Sequence, residues 1–134
     1  MTDDQNVTIT ARTGCDNGNW TPNVGQETMD FLARSAPEES REALEADAVS
    51  ILSKGVSPEE LRGTQTGLVV GYVQSGKTMS FETVTALARD NSFQIVIVIA
   101  GVTTNLLNQS TERLANDLGL RDTTRHRRWH QMKN

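Results

Sequence analysis

The 134-residue chain is long enough to bury one modest core but short for a complete nucleotide-driven motor. It has no run approaching the roughly 18 apolar residues of a membrane span, and the start MTDDQNVT lacks the basic and apolar regions of a signal peptide, so the expected compartment is the cytoplasm. Cys15 is the single cysteine, which excludes an internal disulfide and a thiolate metal cluster.

The net charge of -4 is unevenly spread. Residues 1–60 carry 12 acidic and four basic side chains, net -8, whereas residues 61–134 carry five acidic and nine basic, net +4. A basic half can seek nucleic acid; an acidic one does not.

In chain order, residues 1–24, with Asn17-Gly18-Asn19 and Pro22, read as a loosely ordered lead-in holding one short strand at 7–10. A helix is predicted from Gln26, with Met29, Leu32 and Ala33 on its apolar face, until Ser35-Ala36-Pro37 stops it. A second follows, with Pro37 at its start, Glu38 and Glu39 in its first turn, an apolar stripe of Leu44, Ala48, Ile51 and Leu52, and Gly55 past its end. Ser57-Pro58-Glu59-Glu60 signals another short helical start, closed by Arg62-Gly63-Thr64. Residues 25–63 thus form an acidic helical segment.

The composition then changes. Leu68-Val69-Val70 with Tyr72 and Val73 is a continuous apolar run, as expected of a strand buried on both faces of a parallel sheet. Residues 77–90 have helical spacing through Met79, Phe81, Val84, Leu87 and Ala88, and Asp90-Asn91-Ser92 is a turn. FQIVIVIA, 93–100, predicts the strongest strand, and 105–118 predicts a helix capped by Thr103 or Thr104 with Gly119 beyond it. Strand, helix, strand, helix at this spacing predicts an α/β fold: a partial RecA-like phosphate-loop NTPase unit, βαβα with parallel strands, over 64–120. A basic tail occupies 121–134.

Between the first predicted strand and its helix stands Gly71-Tyr72-Val73-Gln74-Ser75-Gly76-Lys77-Thr78, which fits G-x-x-x-x-G-K-[ST]. From average residue usage the full pattern arises in fewer than roughly one window in ten thousand. The two glycines let the backbone curl so that successive N–H groups face a phosphate at a helix N-terminus. Lys77 would reach the β- and γ-phosphates of ATP, and Thr78 would give its hydroxyl to Mg²⁺. Hydrolysis also needs a carboxylate at the end of another apolar strand, and FQIVIVIAGV has none; Glu82, Glu112 and Asp117 fall on predicted helices, and Asp90 and Asp122 in turns. The chain is therefore expected to bind nucleotide without turning it over alone.

GLVVGYVQSGKT, the following helix with Phe81, and IVIVIAGVTTNLLNQSTERL together resemble the Z-one domain family, whose members are assigned as endonucleases and look like superfamily II helicase-type ATPases of bacterial defence and restriction-like systems. The resemblance covers about 60–120. It implies ATP binding by 71–78, action on DNA, and an acidic motif, arginine finger and nuclease residues lying downstream, so the chain is expected to be the N-terminal part of a longer protein. Thr103, Leu106 and Gln109 match the helicase spacing T-x-x-L-x-x-Q, which with Thr104 and Asn105 places a helix N-terminus where it could meet a DNA phosphate; the plainer alternative makes Leu106 a core residue and Gln109 a solvated helix residue.

In the tail, Arg125, Arg127 and Arg128 beside Trp129 combine phosphate neutralisation with base stacking; the plainer reading is a solvated charge run. His126 and His130 are four apart with no nearby carboxylate or cysteine, so no metal is expected there. Two other functions fit less of the chain: a phosphate-loop kinase or signalling NTPase fragment, for which no base-binding or acceptor motif is seen, and a non-catalytic interaction module working through the acidic helices.

Overall fold

In a computed structural model, residues 18–60, 62–70, 77–99, 103–124 and 129–132 are described. They contain four helices: α1 (Gln26–Ser35), α2 (Glu38–Ser53), α3 (Lys77–Asp90) and α4 (Thr104–Asp117).

Helix α1 buries Thr28, Phe31 and Leu32, the i, i+3, i+4 spacing of one helical face. That face is turned from the predicted one: Leu32 is shared, but Met29 is 49% exposed and Ala33 lies outward. Phe31, with no exposed surface, is the larger apolar group and takes the inside position. Pro37 ends α1 and precedes α2, and Arg41 donates from Nε to the Ala36 carbonyl (3.1 Å) and from Nη2 to the Ala33 carbonyl (3.1 Å), filling acceptors that the end of α1 leaves open. In α2 the predicted stripe points inward, with Ala48 buried and Leu44 packed on the core. The Gly55 N–H closes its end on the Leu52 carbonyl at 3.0 Å. The start signal at 57–60 gives a turn rather than a helix, with the Glu60 N–H on the Ser57 carbonyl at 3.0 Å.

Helix α3 is the central element, and both α1 and α2 pack against it. Its buried hydroxyls bond back to their own helix, Thr83 Oγ1 to the Met79 carbonyl (2.7 Å) and Thr85 Oγ1 to the Phe81 carbonyl (2.9 Å), so burying them leaves no donor unsatisfied. Ser92, with φ 68°, closes α3 in a left-handed turn in which the Phe93 N–H reaches the Ala88 carbonyl (3.0 Å) and the Ser92 N–H the Arg89 carbonyl (3.1 Å). Helix α4 starts on Thr103, whose hydroxyl accepts from the Leu106 N–H (3.4 Å), and ends at Gly119, φ 65°, as the sequence predicts. Phe31, Leu32, Ala36, Ala86 and Leu118 form one buried cluster. The acidic helical segment and the helices after the phosphate-loop motif therefore share a core.

The α/β expectation is overturned. The described residues contain no strand, so there is no parallel βαβα unit and no RecA-like sheet among them. Leu68 is 88% exposed and Ile99 94%, and no backbone ladder joins the runs 67–70 and 93–99. A continuous apolar run encodes a buried strand only if flanking strands supply hydrogen-bond partners and packing helices cover its faces. Periodicity reports the apolar character and carries nothing about partners. The four helices, whose hydrogen bonds are local, came out near their signals, apart from the start signal at 57–60.

Candidate functional site

Lys77 and Thr78, the last two residues of the phosphate-loop pattern, are the first described residues of α3. Gly71, Tyr72, Val73, Gln74, Ser75 and Gly76 lie outside the described residues, as do the Lys77 side chain, Arg125, Arg127 and Arg128. Cys15, His126 and the strand predicted at 7–10 lie outside them too. Thr78 is partly buried in the first turn of α3 and faces a cleft of about 640 Å³. The apolar residues 96–99 form one wall, and Gln109 and Arg113 of α4 form another. The structure thus brings Thr78 and Gln109 to a single cleft, although 31 positions separate them in sequence. Thr103, Thr104 and Asn105 are exposed at the start of α4.

The floor of the cleft holds an acidic residue of α3. Glu82 has no exposed surface, and neither carboxylate oxygen has a hydrogen-bond partner among the described residues. The nearest cation is Arg113, whose Nε stands 3.8 Å from Glu82 Oε1 and 3.4 Å from Asp117 Oδ2, on a side chain 51% exposed. Burial pushes the Glu82 carboxyl up to about 7; the neighbouring Asp117 carboxylate adds to the rise, and Arg113 opposes it. Only when protonated can Glu82 offer Asp117 a hydrogen bond. A usable signal was present: Glu82 falls three residues after Met79 and four before Ala86, on the side of the helix that packs inward.

At its other end α3 meets the start of α1. Gly25, the N-cap of α1, offers no capping side chain, and Asp90 supplies it from a distance. Asp90 Oδ2 accepts from the Gly25 N–H (3.0 Å), the Thr28 N–H (2.9 Å) and the Thr28 hydroxyl (2.7 Å), and Oδ1 accepts from the Glu27 N–H (3.1 Å). This is the capping chemistry of a helix N-terminus delivered by a residue more than sixty positions away. A methyl group on Gly25 would stand 2.6 Å from Asp90 Oδ1, so the approach requires glycine. Asn91 adds to the junction, accepting from the Asn23 N–H (2.7 Å) and donating to the Asn23 carbonyl (2.9 Å).

Trp129 lies at the same junction. Its indole N–H donates to Glu27 Oε1 at 2.9 Å, and the Arg89 guanidinium sits 4.4 Å from its ring centroid. Arg89 also pairs with Glu27, Nε to Oε2 at 3.7 Å. The tail aromatic therefore has a structural post, with one ring face covered by an arginine of its own chain.

No known family, curated protein or solved structure matches this chain. Among the described residues no group of three or more His, Cys, Asp or Glu side chains could hold a metal ion, and no helix is long and apolar enough to cross a membrane. A Mg²⁺ ion at Thr78 would need most of its ligands from nucleotide phosphates and water, the usual arrangement for this cation. The local chemistry fits: the Thr78 hydroxyl and a carboxylate whose oxygens accept no hydrogen bond among the described residues border the same cleft.

Proposed function

We propose that the chain binds ATP with Mg²⁺ through residues 71–78, as the nucleotide-binding portion of a DNA-acting, helicase-like ATPase with endonuclease function in a bacterial defence or restriction-like system. The observation that carries the reading is the phosphate-loop pattern ending in Lys77 and Thr78, both of which lie in α3. Backbone N–H groups of the loop and the positive end of α3 would hold the phosphates, Lys77 would offset their charge, and Thr78 would orient the cation. The bound cation would supply charge neutralisation at the β- and γ-phosphates. The DNA-facing part of the proposal rests on Thr103, Thr104, Asn105 and Gln109, exposed along the first turns of α4, with the basic residues Arg125, Arg127 and Arg128 as further phosphate contacts.

Titration with a fluorescent ATP analogue in Mg²⁺ tests the nucleotide reading. Lys77→Ala is expected to weaken binding at least about a hundredfold while leaving helix content unchanged, because a Lys-to-phosphate contact is charge-assisted. Equal binding by wild type and Lys77→Ala would refute it. A second reading, a protein-interaction module, draws on the exposure of Leu68, Val70, Ile97 and Ile99, an unusual amount of apolar surface for a monomer. Failure of the wild-type chain to bind nucleotide would favour it.

A further inference from the structure

Glu82 is a buried carboxylate with two unfilled acceptors, on the same α3 face as the hydroxyl assigned to Mg²⁺. Thr78 and Glu82 are separated by four residues, which stacks their side chains one helical turn apart with Cβ atoms roughly 5–6 Å from each other. Two oxygen-bearing side chains at that spacing can share one cation directly or through a bound water. Both border the cleft between α3, the 96–99 segment and α4.

The charge balance of the cleft points the same way. Arg113 is the single cation near Glu82 among the described residues, and it lies closer to Asp117. With both carboxylates ionised, the three side chains carry a net charge of -1 beneath the cleft floor. Arg113 sits too far from Glu82 Oε1 for a hydrogen bond and leaves both acceptors open. A buried carboxylate without donors is costly, and a cation entering the cleft would remove that cost.

We propose that Glu82 is a positioning residue for the divalent cation that accompanies the nucleotide, acting on it directly or through one water from the turn of α3 below Thr78. This role rests on the nucleotide reading given above. It supplies, from the loop helix itself, a carboxylate of the kind that phosphoryl-transfer sites otherwise draw from a second strand.

The experiment compares binding of the fluorescent ATP analogue in EDTA with binding in Mg²⁺, for wild type, Glu82→Gln and Lys77→Ala, with Mn²⁺ as a paramagnetic substitute observed by electron spin resonance in the nucleotide complex. Glu82→Gln keeps size and shape, and circular dichroism checks that helix content is retained. The expected result is that Glu82→Gln binds metal-free nucleotide as wild type does but loses about tenfold or more of the enhancement given by Mg²⁺, with a matching loss of Mn²⁺ affinity in the complex, the scale usual for residues that orient a metal. A merely structural carboxylate would leave the metal dependence untouched. An unchanged Mg²⁺ enhancement and Mn²⁺ spectrum in Glu82→Gln, with binding lost in Lys77→Ala, would overturn the role of Glu82 and leave the nucleotide reading standing. Absence of nucleotide binding by wild type under both conditions would overturn both.

Discussion

Helix α3 carries an acidic residue toward each of its ends, and the two are treated in opposite ways. Asp90 receives four hydrogen bonds from the start of α1. Glu82, two turns earlier and fully buried, receives none among the described residues. An ionised acceptor surrounded by donors holds elements together; one deprived of them is a liability that a fold tolerates where some other gain offsets it. One end of α3 is thus committed to architecture, and the other retains unspent chemistry.

The largest expected effect lies at the committed end. Asp90→Ala strands two N–H groups of α1, the Gly25 N–H and the Thr28 hydroxyl together, and is expected to destabilise the chain by about 4 kcal/mol, read as a lowered midpoint in urea unfolding. Asp90→Asn, which retains one acceptor oxygen, should recover part of this. An effect below about 1 kcal/mol for the alanine variant would mean that water replaces the carboxylate at little cost.

At the other end the sign reverses. Glu82, with its carboxyl at about 7 in the folded chain against an ordinary 4.5, keeps its proton across that window while the unfolded chain loses it. The native state therefore binds more protons there, so stability falls as pH rises from 4.5 to 7 and levels off above. Glu82→Gln should remove that fall and leave the variant more stable than wild type by about 2 kcal/mol at pH 8, with no difference near pH 4. Asp117 and Arg113, the charged groups facing Glu82 from α4, are the same in both proteins, so the difference between the two profiles reports on Glu82. Parallel profiles would show that Glu82 is solvated in solution.

Smaller effects separate the two ends further. Trp129→Phe loses the hydrogen bond to Glu27 and weakens the arginine stacking, at a cost of about 1 kcal/mol measured by thermal unfolding. Ser92→Gly, relieving the φ of 68°, should stabilise by about 0.5 kcal/mol. Neither change should alter the nucleotide binding proposed for residues 71–78; a shift in that affinity would show that the two regions of α3 are coupled.

What could be read in advance follows the range of the interactions. Helices α1, α2, α3 and α4 were legible because Pro37, Gly55, Thr103 and Gly119 act within a turn of their own chain positions. The inward face of α1 was misread at Met29 because a ten-residue helix has few positions with which to set its rotation, and Phe31 decided it through packing. The runs at 67–70 and 93–99 misled because β-branched apolar residues specify a preference while a sheet requires a partner. Of the site, the helical character of the residues from Lys77 onward was legible, whereas the meeting of Thr78, Glu82, Gln109 and Arg113 in one cleft depends on how α4 lies beside α3. Asp90 was passed over as a turn residue, since nothing near it in sequence announces the donors of α1.

The positions of the two tryptophans decide what light can report about this molecule. Trp20 lies 6.3 Å, ring to ring, from Phe93 and shares a pocket with Asp90 and Asn91, while Trp129 rests under Arg89. The chain has no others. Its intrinsic emission is therefore a gauge of the Asp90 junction, sensitive to the parting of α1 from α3. A ligand settling at Thr78, more than three turns from Asp90 along the helix, would enter unseen by either indole unless the junction itself gave way.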